Sequence, residues 1–323
     1  MSSTKDIIKE ERPNIADSSL KIYVSNLEKL KKMFESDDYA FLSKIQEVKD
    51  KLSHLSDNTK RNYYNAIIIY LMAVGKDTEK DNEILKEYND MRDELNKLYE
   101  DNQATGVISD KQKDNFVDIS EVNTMIDTMA QEIKDKKIKK RAGEGLKPKD
   151  YNLLQVYVLF SIYTRLPMRN DVAGMEAITK REYNKLTDSE KKEKNYLVVN
   201  KNDMFMVLNK YKTAKKYEEN IIEIGKDLEK ILRIWIKVTG MGVMFSSSTG
   251  KELTRNALSQ LLIKTTQKYM GKSISTTMLR KIYLSSKYSD VKDEMEKDAK
   301  VMGHDTQTAQ KVYIKKPQEE GDS

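Results

Sequence analysis

The chain has 323 residues, of which 38% are hydrophobic and 34% are charged, and its net charge is +6. It has no cysteine and only two histidines, which excludes disulfides, thiolate metal sites and multi-histidine metal centres. The longest strongly apolar run, residues 66–74, is about half of a membrane span, and the first residues lack the apolar core of a signal peptide. We therefore expect a soluble intracellular protein of two domains, with no membrane contact, metal or cofactor.

The charge is unevenly distributed. Residues 76–101 carry ten acidic and five basic side chains, whereas residues 251–316 carry fourteen basic and seven acidic ones. A basic segment suits a polyphosphate partner such as nucleic acid. An ordinary solvated helical surface would explain the same charges, and composition alone does not separate the two interpretations.

The first part of the chain has helical periodicity. Residues 1–16 show none and are predicted to be a flexible N-terminus. From Asp17, apolar residues recur at helical spacing, and further helices are predicted from Tyr39, from Asp57 and over residues 78–100. Residues 17–102 therefore form a predicted all-α domain. Residues 103–119 lack periodicity and are predicted to be a linker.

The second part, residues 120–316, is predicted to be helical with a β insert, followed by a polar tail at 317–323. The period changes to two over residues 195–224, where three apolar runs are separated by turns, which indicates a three-stranded antiparallel sheet. Helices are predicted around this insert, beginning at Ser120, Pro148, Leu228, Thr254, Thr276 and Asp290. The predicted fold class is mainly α with a small antiparallel β-sheet.

Four side chains form a candidate phosphodiester-cleaving set. Arg169 follows an apolar helix, Arg280 lies in a second helical segment, His304 follows a glycine, and Tyr313 comes nine residues later. Arginine guanidinium groups match phosphate geometry and stay protonated, so they can stabilise a phosphoryl transition state without a metal. The histidine can donate a further hydrogen bond, and the tyrosine can serve as the nucleophile.

The reaction also needs a proton donor for the departing sugar oxygen. A lysine on a β-turn suits this role. The hairpin segment contains Lys210 and Lys212, and Lys215 and Lys216 follow closely. Lys210 and Lys212 are therefore both candidates for the proton donor, and Lys215 or Lys216 could take the same role.

The ordered set Arg169, Lys212, Arg280, His304 and Tyr313 resembles that of the tyrosine recombinase/integrase family, in its eukaryotic-virus or mobile-element branches. This resemblance implies a helical core-binding domain and a catalytic domain that together clamp duplex DNA. It implies strand cleavage through a 3′-phosphotyrosyl link with release of a 5′-hydroxyl, with Lys212 as the general acid, and rejoining without ATP or metal. It further implies a homotetramer on DNA, with a monomer possible when free.

One position departs from the family pattern. Thr277 stands where the family usually has a histidine, three residues before the second arginine. Threonine can hydrogen-bond a phosphate oxygen but is no general base near neutral pH. Thr277 therefore keeps open a catalytically inactive DNA-binding relative as an alternative to a site-specific recombinase. Strand relaxation like that of type IB topoisomerases is a second alternative, because those enzymes have a similar catalytic set.

Other cations are candidates for DNA contacts outside the active site. Lys60 and Arg61 begin one predicted helix, and Arg255 and Asn256 begin another, so they could reach phosphates or base edges. Ordinary helix-surface charge is the alternative explanation. An origin in a eukaryotic virus would imply the nucleus or a cytoplasmic viral factory as the location, and any other origin the cytoplasm.

Overall fold

The computed structural model divides the chain into two compact units, residues 1–108 and 109–323. The structure describes residues 3–75, 79–104, 106, 108–212, 214, 219–303 and 306. Within these ranges, no helix combines the length and apolar character that a bilayer crossing requires. The chain is mainly helical with one small sheet, which confirms the predicted fold class.

The first unit is entirely helical. Its helices are α1 (Thr4–Glu11), α2 (Asp17–Met33), α3 (Ile45–Leu52), α4 (Asp57–Val74) and α5 (Glu79–Ala104). The helix predicted from Tyr39 is divided, because a short 3-10 turn over Ala40–Ser43 precedes α3. Apolar faces of these helices form the core, where Tyr88 is fully buried and its hydroxyl donates to the carbonyl of Leu42.

Within the N-terminus that was predicted to be flexible, Thr4–Glu11 form the helix α1. Ser3 and Asp6 form a reciprocal capping box at its start, which satisfies backbone groups that would otherwise lack partners. Ile8 is fully buried in a cluster with Leu20, Leu27 and Ile69. A segment this short shows too few apolar positions for a periodicity argument, and its stability comes from packing against α2 and α4.

The second unit surrounds a buried helix. Its helices are α6 (Asp110–Lys113), α7 (Ile119–Asp135), α8 (Pro148–Tyr163), α9 (Lys180–Tyr183), α10 (Asp188–Glu193), α11 (Lys226–Thr239), α12 (Arg255–Met270) and α13 (Thr276–Val301). From Leu153 to Tyr163 every residue of α8 is buried, because it packs against α7, α11, α12 and α13. The helices predicted from Thr276 and Asp290 are a single helix, α13.

The sheet has more strands than the sequence predicted. Its strands are β1 (Glu176–Thr179), β2 (Tyr196–Val199), β3 (Met204–Leu208), β4 (Asn220–Glu223) and β5 (Gly242–Val243), in the order β4-β3-β2-β1-β5. The predicted antiparallel set β2, β3 and β4 is confirmed. However, β1 pairs in parallel with β2 and antiparallel with β5, so the whole sheet is mixed. The strand β1 lies outside the stretch 195–224 in which apolar runs alternate with turns, and β5 has only two residues, so only pairing reveals them.

The predicted linker and the unit boundary overlap. The boundary after residue 108 lies inside the predicted linker 103–119. The structure continues α5 to Ala104 and places α6 within the same stretch. The functional roles of the two units remain predictions.

Candidate active site

Arg169 and Arg280, which are distant in sequence, lie at the same cleft of the second unit. The cleft has a volume of about 590 Å³. Its lining consists of Leu166, Pro167, Met168, Arg169, Asp171, Leu208, Tyr211, Glu219, Asn220, Ile222 and Arg280. The structure therefore brings together the two arginines that the sequence predicted to act on one phosphate.

Arg169 is positioned by the end of α8. The chain leaves the helix in a loop, and the buried Tyr163 donates from its hydroxyl to the carbonyl of Arg169 at 3.2 Å. Burial raises the pKa of Tyr163 above its usual range, so this phenol keeps its proton and remains a donor. The loop conformation is thus fixed from the core, while the Arg169 side chain is exposed to the cleft.

Arg280 is positioned by the first turns of α13. Ser275 caps this helix by accepting a hydrogen bond from the backbone of Met278. Leu279 and Ile282 are buried in the core of the unit and fix the rotation of the helix. Arg280 donates from Nη2 to the hydroxyl of Thr277 at 3.3 Å. The threonine that stands where the family usually has a histidine therefore contacts the arginine.

The arginine pair is electrostatically unsatisfied. Burial, followed by the positive charge of Arg169, lowers the pKa of Arg280, although an arginine remains charged near neutral pH. The Nε of Arg280 and the Oδ1 of Asn170 are buried without a hydrogen-bond partner among the described residues. Two repelling guanidinium groups with an unused donor are an arrangement that a bound anion would stabilise.

Asp171 and Glu219, the two acidic residues that line this cleft, both have other partners. Glu219 accepts a hydrogen bond from the hydroxyl of Tyr183 at 2.6 Å. Asp171 forms an ion pair with Arg255. Its Oδ1 lies 3.0 Å from Nη2 of Arg255. Burial raises the pKa of Asp171, and the positive charges of Arg255, Arg169 and Arg280 oppose that rise. Because its direct ion pair is with Arg255, the carboxylate leaves the two cleft arginines available for an anion.

Arg255, predicted to contact DNA, is part of the site's internal structure. Besides its ion pair with Asp171, its Nη2 donates to the carbonyl of Lys210 at 3.1 Å. Its own carbonyl accepts from the side chain of Asn170 at 3.0 Å. The neighbouring Asn256 is exposed. A DNA contact for these two residues stays a prediction.

Lys212, the predicted general acid, lies beside the arginine cleft. It is exposed on the turn after β3 and lines a neighbouring cavity of about 390 Å³, together with Asn195 and Arg255. Tyr211 lines both the cavity and the cleft. The alternative lysines Lys215 and Lys216 lie outside the described residues.

His304 and Tyr313, the predicted hydrogen-bond donor and nucleophile, also lie outside the described residues. The chain is described up to Gly303, whose φ of +70° ends α13 in the left-handed region. The Gly303 amide donates to the carbonyl of Lys300 at 3.1 Å. The glycine of the Gly-His step therefore has a local structural role as the end of the helix.

The two cations predicted to bind DNA in the first unit have partners there. Lys60 lies 3.5 Å from Asp57, one turn earlier in α4. The Arg61 guanidinium stacks on the ring of Tyr99 with a centroid distance of 4.5 Å and donates to Asn96 at 3.4 Å. These contacts provide a structural role for Arg61. The DNA contacts of Lys60 and Arg61 stay predictions.

One polar residue of the site was not predicted. Asn195 is buried immediately before β2, and its side chain bonds the backbone of both Asp171 and Lys210. The signal in the sequence is a lone asparagine directly before an apolar strand, which by itself predicts only a strand boundary. Among the described residues, no group of three or more acidic or histidine side chains could hold a metal ion.

The sequence and fold of this chain show little similarity to known proteins in the comparisons made. The chain matches no model of a known protein family, and no curated protein matches its sequence. A solved structure, described as the crystal structure of XerA recombinase, aligns with 97% of this chain and 94% of its own chain, at 10% identity and a TM-score of 0.35. A likeness at that level carries no argument about function, so the functional interpretation depends on the site itself.

Proposed function

We propose that this protein cuts and rejoins DNA strands through a covalent tyrosine linkage, as the tyrosine recombinases do whose motifs it resembles. One observation carries the proposal. Arg169 and Arg280 share a cleft in which they repel each other, and Arg280 keeps a buried Nε–H without a partner among the described residues. A phosphodiester would supply the missing negative charge and acceptor oxygens.

The two guanidinium groups would bind the non-bridging oxygens of the scissile phosphate. Charge develops on these oxygens in the transition state, so preorganised donors there accelerate the reaction. Thr277 could add a hydrogen bond, since its hydroxyl already lies beside Nη2 of Arg280. His304 would donate a further one, as the family resemblance implies.

In the proposed step, the Tyr313 oxygen attacks phosphorus and loses its proton to water. A bond forms between phosphorus and the tyrosine oxygen while the bond to the 5′ oxygen of the next nucleotide breaks. Lys212 gives a proton to that departing oxygen, which leaves as a 5′-hydroxyl. Attack by the hydroxyl of another strand reverses the step and restores the tyrosine, so no ATP is consumed.

The proposed partner is double-stranded DNA, and the proposed biological role is site-specific recombination or integration for a viral or mobile element. Exchange between two duplexes requires four cleavages, for which a homotetramer on DNA supplies four tyrosines. Relaxation by a single enzyme, as in type IB topoisomerases, uses the same chemistry. Formation of recombinant junctions between two duplexes separates these two activities.

Thr277 favours a second candidate function, a DNA-binding protein that does not cleave. No general base stands at this position, and the threonine hydroxyl accepts a hydrogen bond from Arg280. This candidate predicts DNA affinity that falls steeply with salt, and no covalent adduct on any substrate.

Covalent trapping tests the proposal. Wild type, Tyr313→Phe and Tyr288→Phe are incubated with nicked suicide duplexes of randomised sequence and separated on denaturing gels. Tyr288 is an exposed tyrosine of α13 and serves as the matched control. A protein–DNA adduct in wild type and Tyr288→Phe, but not in Tyr313→Phe, supports the proposal. DNA binding without an adduct on any duplex contradicts it and favours the second candidate.

A further inference from the structure

The side chain of Asn195 uses its full hydrogen-bonding capacity at a buried position. Its Nδ2 donates to the carbonyl of Asp171 at 2.8 Å and to that of Lys210 at 3.2 Å. Its Oδ1 accepts from the backbone amides of Asn209 at 2.9 Å and Lys210 at 2.8 Å. An asparagine has two donors and two acceptor lone pairs, so none is left unused.

These four bonds join two parts of the candidate active site. Asp171 belongs to the loop that begins with Arg169, and Lys210 lies at the end of β3 on the way to Lys212. Asn195 itself precedes β2, which pairs with β3. The side chain therefore fixes the distance between the backbone that carries an arginine and the backbone that carries the proposed general acid.

Arg255 makes a second link between the same two segments. Its Nη2 donates to Oδ1 of Asp171 and to the carbonyl of Lys210. Its side chain is 55% exposed, whereas Asn195 is 5% exposed. The bond from Asn195 to the Asp171 carbonyl is buried and its other three bonds are partly buried, so their loss would leave partly shielded backbone groups short of partners, although the Lys210 carbonyl would keep its bond from Arg255.

We infer that Asn195 is a positioning residue that holds the β3 end against the arginine loop, so that Lys212 reaches the departing oxygen of the scissile phosphate. This inference rests on the proposed function. A general acid must come within hydrogen-bond distance of the atom it protonates, and a misplacement of about 1 Å can cost roughly a hundredfold in rate. An asparagine is unfavourable next to a buried strand unless its bonds are needed there.

The test compares two leaving groups. One suicide duplex has the normal 5′ oxygen at the cleaved bond, and the other has sulfur in that bridging position. A thiol has a pKa of about 8.5, far below that of an alcohol, so sulfur leaves without a proton donor. A defect in protonation therefore disappears with the sulfur duplex, whereas damage to the arginine pair or to folding affects both duplexes.

With the oxygen duplex, we expect Asn195→Ala to form the adduct about 100-fold more slowly than wild type, within the range that general-acid catalysis contributes. With the sulfur duplex, we expect a rate within about threefold of wild type. Lys212→Ala should show the same pattern. Asn200→Ala is the matched control, because Asn200 lies beyond the other end of β2 and bonds Asp203 at 2.7 Å; it should react like wild type with both duplexes.

A second variant covers the case in which Asn195→Ala does not fold. Asn195→Asp keeps an acceptor for the amides of Asn209 and Lys210 but loses both donor bonds. We expect a comparable slowing, because the second carboxylate oxygen repels the carbonyls of Asp171 and Lys210, and the sulfur duplex should again remove it. In Asn195→Ala, faster hydrogen exchange at the Lys210 amide, with exchange in the β2–β3 ladder unchanged, shows that the link has been broken.

The outcomes separate this inference from the proposed function. Equal slowing with both duplexes, or no slowing with either, would overturn the positioning role while leaving tyrosine-dependent cleavage intact. The absence of any adduct in wild type with both duplexes would overturn the proposed function, and the positioning role with it.

Discussion

The guanidinium of Arg255 lies 3.0 Å from the carboxylate of Asp171, and the acid is almost fully buried while the arginine is half exposed. The sequence predicted Arg255 to be a DNA contact, yet in the structure it supports the loop that carries Arg169. Its exposed part leaves room for a phosphate contact as well. The ion pair therefore links an exposed side chain of the second unit to the loop that carries Arg169.

Removal of this ion pair should cost stability. We expect Arg255→Met to lower the free energy of unfolding by about 1–2 kcal/mol, because the Asp171 carboxylate loses a charged hydrogen bond at a buried position. Asp171→Asn in the same background should recover part of the loss. Denaturant unfolding of the two single variants and the double variant gives the coupling energy, which we expect to be about 1 kcal/mol. Strictly additive losses would contradict the link.

Replacement of Arg280, unlike that of Arg255, should reduce activity without reducing stability. We expect Arg280→Met to leave the free energy of unfolding unchanged or higher, because it removes both the repulsion from Arg169 and the unpartnered Nε–H. Adduct formation should fall by roughly 100- to 1,000-fold, the usual effect of one lost transition-state donor. Thermal unfolding and covalent trapping measure the two effects.

Arg233 is the matched control for Arg280. It lies on α11, away from the cleft residues, and pairs with the buried Glu229 at 2.6 Å. Arg233→Met should lower stability and leave the adduct rate per folded molecule unchanged. A stability loss in Arg280→Met as large as that in Arg233→Met would show that Arg280 is a structural residue.

Thr277 should tune the rate of cleavage. Thr277→Val keeps the shape but removes the acceptor that lies 3.3 Å from Nη2 of Arg280. Loss of one hydrogen bond is worth about 1 kcal/mol, so we expect a roughly fivefold slower reaction. Thr277→His should react faster and acquire a rate change near pH 6–7, where histidine titrates. A pH–rate profile of the three proteins decides this, and a slower histidine variant without that titration would contradict it.

Arg61 and Lys60 should differ in their effects on the first unit. Arg61→Met should lower the free energy of unfolding by about 1 kcal/mol, because it loses the stacking on Tyr99 and the bond to Asn96. Lys60→Gln should have little effect on stability. If Lys60 contacts a phosphate, the slope of log affinity against log salt becomes smaller by about 0.9 in Lys60→Gln. An unchanged slope would exclude that contact.

Tyr269 should contribute to alkaline unfolding. Its hydroxyl donates to Glu132 at 2.9 Å, and burial, with that bond and charge, raises its pKa to about 12. The unfolded phenol ionises near pH 10. The contribution of Tyr269 to stability is therefore complete below pH 10 and is lost as the pH rises through 12. Unfolding at a series of pH values should show a smaller alkaline loss in Tyr269→Phe, and parallel curves would contradict the assignment.

Secondary structure was predicted best from the sequence where the pattern of apolar residues extends over several helical turns. Helices α2, α4 and α7 were predicted because their apolar spacing extends over several turns, and α8 because a long, mostly apolar stretch follows Pro148. The strands β1 and β5 were missed because neither belongs to the series of apolar runs and turns over residues 195–224, and only their pairing identifies them as strands. The prediction divided α13 near Asp290, where its sequence becomes polar, whereas hydrogen bonds within the helix continue through that polar stretch.

By itself, the sequence determined the two-arginine motif, the lysine-rich hairpin and the Gly-His-to-tyrosine spacing, because these are properties of residue type and order. Only the tertiary structure decided that Arg169 and Arg280 share one cleft, that Asp171 pairs with Arg255, and that Asn195 joins the two segments. These relationships depend on side-chain packing and hydrogen bonding between elements far apart in the chain. No local pattern encodes which of several possible partners a buried polar group will take; the packing of α8, α12, α13 and the sheet decides it.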